Sequence, residues 1–166
     1  MLLYTRHAMR RQWHASATAI LVLAFTGFSG AMQTASAAED PVAKRSRERL
    51  MPTLEFDRRA ATAFQSKALT GLSALYTQLR TVGAESESLV AAGKSACGCD
   101  VAVTNLLIIV GFAVNKLDGK GRYQPWMKDE SLRLLADYQG YLTDCAKDAA
   151  AAPITVQLQP HHVKAL

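Results

Sequence analysis

Histidine and cysteine are scarce in this 166-residue chain, with four and three copies, and each scarcity excludes chemistry. His7 and His14 lie near the start, which leaves only His161 and His162, at the far end, for the rest of the chain. That removes most hydrolytic schemes that need an imidazole held beside a nucleophile. No glycine-rich phosphate loop, zinc-protease motif or haem-attaching Cys-x-x-Cys-His is present. Gly71-Leu72-Ser73-Ala74-Leu75 lacks the second glycine of a nucleophile elbow. The chain therefore carries no catalytic constellation, and neither an enzymatic activity nor a cofactor is expected. Long apolar runs are absent too. The uninterrupted run Leu106 to Val114 is nine residues, where a bilayer-spanning helix needs ~20.

Acid is missing from the first 38 residues, Glu39 being the first. Arg6, His7, Arg10, Arg11 and His14 form a basic start, followed by the short apolar stretch Ala17 to Phe28 and the small-residue box Ala35-Ser36-Ala37. These features, in this order, predict a cleavable secretory signal peptide over 1–37. The expected location is periplasmic or secreted, after cleavage near Ala37. Arg6, Arg10 and Arg11 leave with the leader; the other 16 of the 19 lysines and arginines face 14 acids, a formal balance of +2. A balance that small, outside the cytoplasm, gives no reason to expect nucleic acid.

Hydrophobic spacing predicts an all-α protein: a single small bundle of three to four helices after the signal peptide, with an extended C-terminal tail. Asp40-Pro41 is a cap followed by proline at the first helical position, opening a charged arm (38–52) that Pro52 should end. The bundle domain should cover 53–150 and the tail 151–166. Within the domain, Thr53 caps a helix whose stripe Ala61, Phe64, Ala68, Leu72, Leu75, Leu79 and Val82 is continuous at helical spacing. Gly83 should end it, and Glu85-Ser86-Glu87-Ser88 should begin a shorter helix that Gly98 breaks. Asp100 opens an element over Val101–Leu117 that is apolar on nearly every face, as the central member of a bundle would be. Asp118-Gly119-Lys120-Gly121 reads as a turn. A last helix follows Pro125, with Met127, Leu134, Leu135, Tyr138, Leu142 and Cys145 on its apolar face and an acidic stripe of Glu130, Asp137 and Asp144 opposite. The tail Ile154 to Gln159 alternates like an edge strand.

The cysteines carry the sharpest chemistry. Export places Cys97, Cys99 and Cys145 where disulfides persist, and a bridge from Cys97 or Cys99 to Cys145 would close a long loop. Spacing does not choose between the two. The rival reading closes Cys97-Gly98-Cys99 on itself as a labile disulfide or uses its thiolates for a soft metal such as Cu(I), with His161 and His162 as further weak candidates. Contact candidates are Tyr123 and Trp126 beside the turn, and Arg45, Arg47 and Arg49 in the basic cluster formed with Lys44, Arg58 and Arg59. The expected role is binding of another exported protein, as an inhibitor, immunity-type protector or chaperone-like factor. The competing roles are thiol-redox or copper handling, and a membrane-attached envelope component.

Overall fold

Asp40 and Pro41 start the first helix as capping chemistry dictates: the Asp40 carboxylate accepts the Val42 N–H at 2.9 Å and Pro41 sits where no N–H is needed. The computed structural model describes residues 39–165, and the leader assigned to 1–37 lies outside them. Among the described residues the protein is all-helical, with α1 (Pro41–Ser66), α2 (Leu69–Ala91), α3 (Gly98–Leu117), α4 (Trp126–Asp148) and the short α5 (Pro160–Lys164).

Pro52 does not end α1. The helix runs through it, so residues 41–52 of the charged segment are the first half of a 26-residue helix and not a separate arm. Pro52 is exposed and so is Glu48, whose carbonyl loses its helical donor there, so water can replace the bond. Thr53 lies inside the helix, its hydroxyl donating to the Arg49 carbonyl at 2.8 Å.

The stripe read as one helix over Ala61–Val82 belongs to two. Lys67 takes a left-handed conformation (φ 49°), and the Ala68 N–H bonds back to Ala63 O. This closes α1 with the six-to-one bond of a glycine-type cap although no glycine is there. The spacing continued in phase across the break, so periodicity could not reveal it. Arg59 pairs with Gln78 at 2.6 Å and Arg49 with Glu85, so α2 returns antiparallel along α1. Gly83 does not stop α2; it is buried within the helix, where an added Cβ would lie 3.4 Å from the Leu107 side chain. The helix ends eight residues later, before Gly93 (φ 69°). Gly98 opens α3 instead of breaking a preceding helix.

α3 lies among α1, α2 and α4. Ala102, Val103, Leu106, Ile109, Val110 and Ala113 are buried there against Phe64, Leu72, Leu75, Leu79, Leu135, Tyr138 and Leu142. It is 20 residues long and contains an 18-residue window of mean hydropathy 1.7, so by length and composition it could cross a membrane, a test that core helices of soluble proteins also pass. Gly119 and Gly121, both at positive φ, form the turn into α4.

The tail does not form a strand. Asp57, fully buried on α1, accepts the backbone N–H groups of Gln157 and Leu158, the latter at 3.1 Å, and the Tyr138 hydroxyl at 3.0 Å. Leu158 is completely buried by this attachment. The chain then turns into α5, whose Val163 is buried near Phe64 and Ile109. The segment 151–165 is thus an ordered strap, with its last turn helical.

Candidate functional site

The three cysteines meet where the start of α3 crosses the end of α4. Cys99 and Cys145 form a disulfide, their Cα atoms 5.2 Å apart, and both residues are fully buried. Gly98 makes this approach possible. A Cβ there would stand 2.5 Å from the Tyr141 carbonyl oxygen and 2.9 Å from the Cys145 nitrogen, backbone atoms of α4 that cannot yield cheaply. The pairing of Cys145 with Cys99 leaves no Cys97–Cys99 ring, and Cys97 remains a buried free thiol.

Cys97 caps α3. Its side chain accepts from the Asp100 N–H, while the Asp100 carboxylate accepts the Cys97 N–H at 3.0 Å and the thiol at 3.2 Å. This is a capping box with cysteine in the place usually taken by serine or threonine. Burial pushes the Cys97 thiol up, against the pull of the N–H groups that the sulfur accepts. Such a thiol is the reverse of a reactive one.

Asp100 is 2% exposed and serves three helices at once. Arg45 of α1 grips it bidentately at 2.6 and 2.7 Å, Ser86 of α2 donates at 2.8 Å, and Arg49 lies 3.8 Å away while also pairing with Glu85. Burial alone would raise the Asp100 carboxyl; the Arg45 pair, the Cys97 N–H and the Ser86 hydroxyl together hold it down at about 2. Arg45 is only 17% exposed, and its guanidinium is raised by the same pair. The network locks the ends of α1, α2 and α3 beside the disulfide that joins α3 to α4.

The other sequence candidates lie apart from this junction. Arg45 and Arg49 turn inward into ion pairs and are not surface cations, and Arg47, half-exposed, pairs with Glu39. Trp126 is 56% exposed at the start of α4 and meets Phe112 edge-on, with centroids 5.5 Å apart. Lys116 Nζ sits 4.5 Å over the Tyr123 ring. His161 and His162 are on α5, where His162 Nδ1 accepts the Gln159 N–H at 3.0 Å. With Cys99 in the bridge, the set Cys97, Cys99, His161 and His162 offers one free thiol. Among the described residues no group of three or more histidine, cysteine or acidic side chains is placed to hold a metal.

Sequence reasoning missed Asp57 and the depth of Asp100. Both left a trace. Asp57 falls at helical spacing before Ala60, Ala61 and Phe64, a charge on an apolar face. Cys97-x-x-Asp100 has capping-box spacing. No family model matches the chain, and neither a curated protein nor a solved structure is detectably similar to it.

Proposed function

We propose that this is an exported, non-enzymatic protein that acts by binding another extracytoplasmic protein, its helices braced as one bundle by the Cys99–Cys145 bridge. The bridge is the observation that carries the reading: a buried disulfide beside the Asp100 network is compatible with an oxidising compartment, where such bonds persist. The basic leader, apolar stretch and Ala35-Ser36-Ala37 box supply the route. The contact surface is the rim around Trp126 and Tyr123, where a large aromatic stays more than half exposed on a rigid helix start. The thiol-redox alternative gains no support from Cys97, which is buried and shifted away from the thiolate.

The test is the mass of the natural protein recovered from outside the cytoplasm. Loss of residues 1–37 and of two hydrogens is expected, with one thiol alkylated after denaturation. An intact leader with three free thiols refutes the reading. Immobilised protein should then retain one stoichiometric partner from an envelope extract, and Trp126→Ala should release it.

A further inference from the structure

The C-terminal strap is held in a way that does not depend on which chain supplies it. The seam between α1 and α4 reads the strap through its backbone: Asp57 accepts the Gln157 and Leu158 N–H groups, and Gln139 Nε2 donates to the Leu158 carbonyl at 3.1 Å. Leu158 and Val163 supply the apolar anchors. Backbone recognition of an extended segment with a buried anchor is a recurring way of binding a peptide in trans. A seam of this kind cannot distinguish its own strap from an identical one.

The link between α4 and the strap is under conformational conflict. Ala149-Ala150-Ala151-Ala152 is a run of the strongest helix former and directly continues α4. Yet the helix stops at Asp148, and Ala150 adopts φ 53°, a left-handed conformation disfavoured for any residue with a Cβ. The Ala151 N–H then bonds back to Ala146 O, turning the chain toward α1. Ala150, Ala151, Ala152 and Pro153 are all exposed. Released from the seam, these alanines can extend α4 by about a turn up to Pro153, which relieves Ala150 and carries the strap roughly 5 Å further from its own seam.

We propose that two copies of this chain exchange their straps, residues 154–163 of each occupying the Asp57 seam of the other, with Ala149–Ala152 as the hinge. The exchanged dimer keeps every strap contact of the monomer and loses the left-handed alanine at each hinge. Domain swapping of this form is an established low-cost route to dimers when a hinge is strained.

The experiment is concentration-dependent light scattering on protein warmed near its melting temperature and cooled. Wild type should yield a dimer, and Ala150→Gly, which accepts the left-handed turn without strain, should lower the dimer constant by about fivefold or more. Mixing Asp57→Ala, which has an intact strap, with Leu158→Asp, which has an intact seam, should produce a one-to-one heterodimer while each variant alone stays monomeric. A wild type that remains monomeric throughout, or a dimer indifferent to Ala150→Gly, overturns the proposal. Should either the Asp57→Ala or the Leu158→Asp variant fail to fold, the comparison of wild type with Ala150→Gly decides alone.

Discussion

Removing the disulfide should cost this protein a large share of its stability. Cys99 and Cys145 are 46 residues apart in sequence, and closing a loop of that size in the unfolded chain corresponds to about 4 kcal/mol in the chain-entropy treatment. A domain of this size has a net stability of roughly 5–15 kcal/mol, so the bridge decides whether the fold survives mild heating. At about 4 °C per kcal/mol, the midpoint should fall by about 15 °C. The clean comparison is Cys97→Ala against Cys97→Ala/Cys99→Ala/Cys145→Ala, because no stray thiol can then form a substitute bridge. Urea unfolding followed by far-ultraviolet dichroism gives both the free energy and its denaturant slope. The slope should rise in the triple variant, since the uncrosslinked chain exposes more surface on unfolding. A loss below about 1 kcal/mol with an unchanged slope would refute the reasoning, because the bridge would then constrain nothing in the unfolded chain.

Three further outcomes follow from the same junction. Asp100 titrates at about 2 when folded against 3.8 when free, so its stabilisation is fully present above pH 4 and disappears as pH falls toward 2. Urea midpoints measured across that range should register about 2 kcal/mol from this group, and Asp100→Asn should flatten the profile there while lowering stability at pH 7. Gly98→Ala should destabilise by about 1–3 kcal/mol, since its methyl would press on α4 backbone atoms at the disulfide, whereas Gly140→Ala, which meets nothing within 4 Å, should be neutral or slightly stabilising; equal midpoints for the two variants would contradict the packing argument. Native Cys97 should resist iodoacetamide at pH 8 and react at once in urea, and mass spectrometry of the quenched samples reads both states.

The sequence carried the helical class, the start of α1 at Asp40-Pro41, the apolar central helix and the turn at Gly119, because each rests on local spacing or on residues with a strong backbone preference. It misplaced the breaks for equally physical reasons. Pro52 looked like a stop, yet a proline whose orphaned carbonyl faces water is tolerated inside a long helix. Lys67 turns the chain without glycine, so composition gave no warning there, whereas the break near Ala150 was marked by Pro153 and placed within two residues. Of the junction, the cysteines were legible; Asp100 read as the opening of the helix, whereas Cys97 caps it, Gly98 is its first residue and Asp100 sits in its first turn. Arg45 was not legible: nothing in a run of charged residues tells which arginine will fold inward onto a carboxylate 55 residues away. Asp57 was hidden in the same way, its partners lying 81 to 101 residues further on.

That last separation governs how the molecule comes into being. Leu158 and Val163 close the hydrophobic interior, and Asp57 finds its backbone partners only at Gln157 and Leu158. Until that segment docks, α1 holds a carboxylate that has the Tyr138 hydroxyl but lacks both backbone donors, beside an apolar seam that Leu158 and Val163 do not yet cover. The packing of α1 is therefore complete only once residues 154–163 dock, so removing them leaves a helix a hundred residues away unfinished.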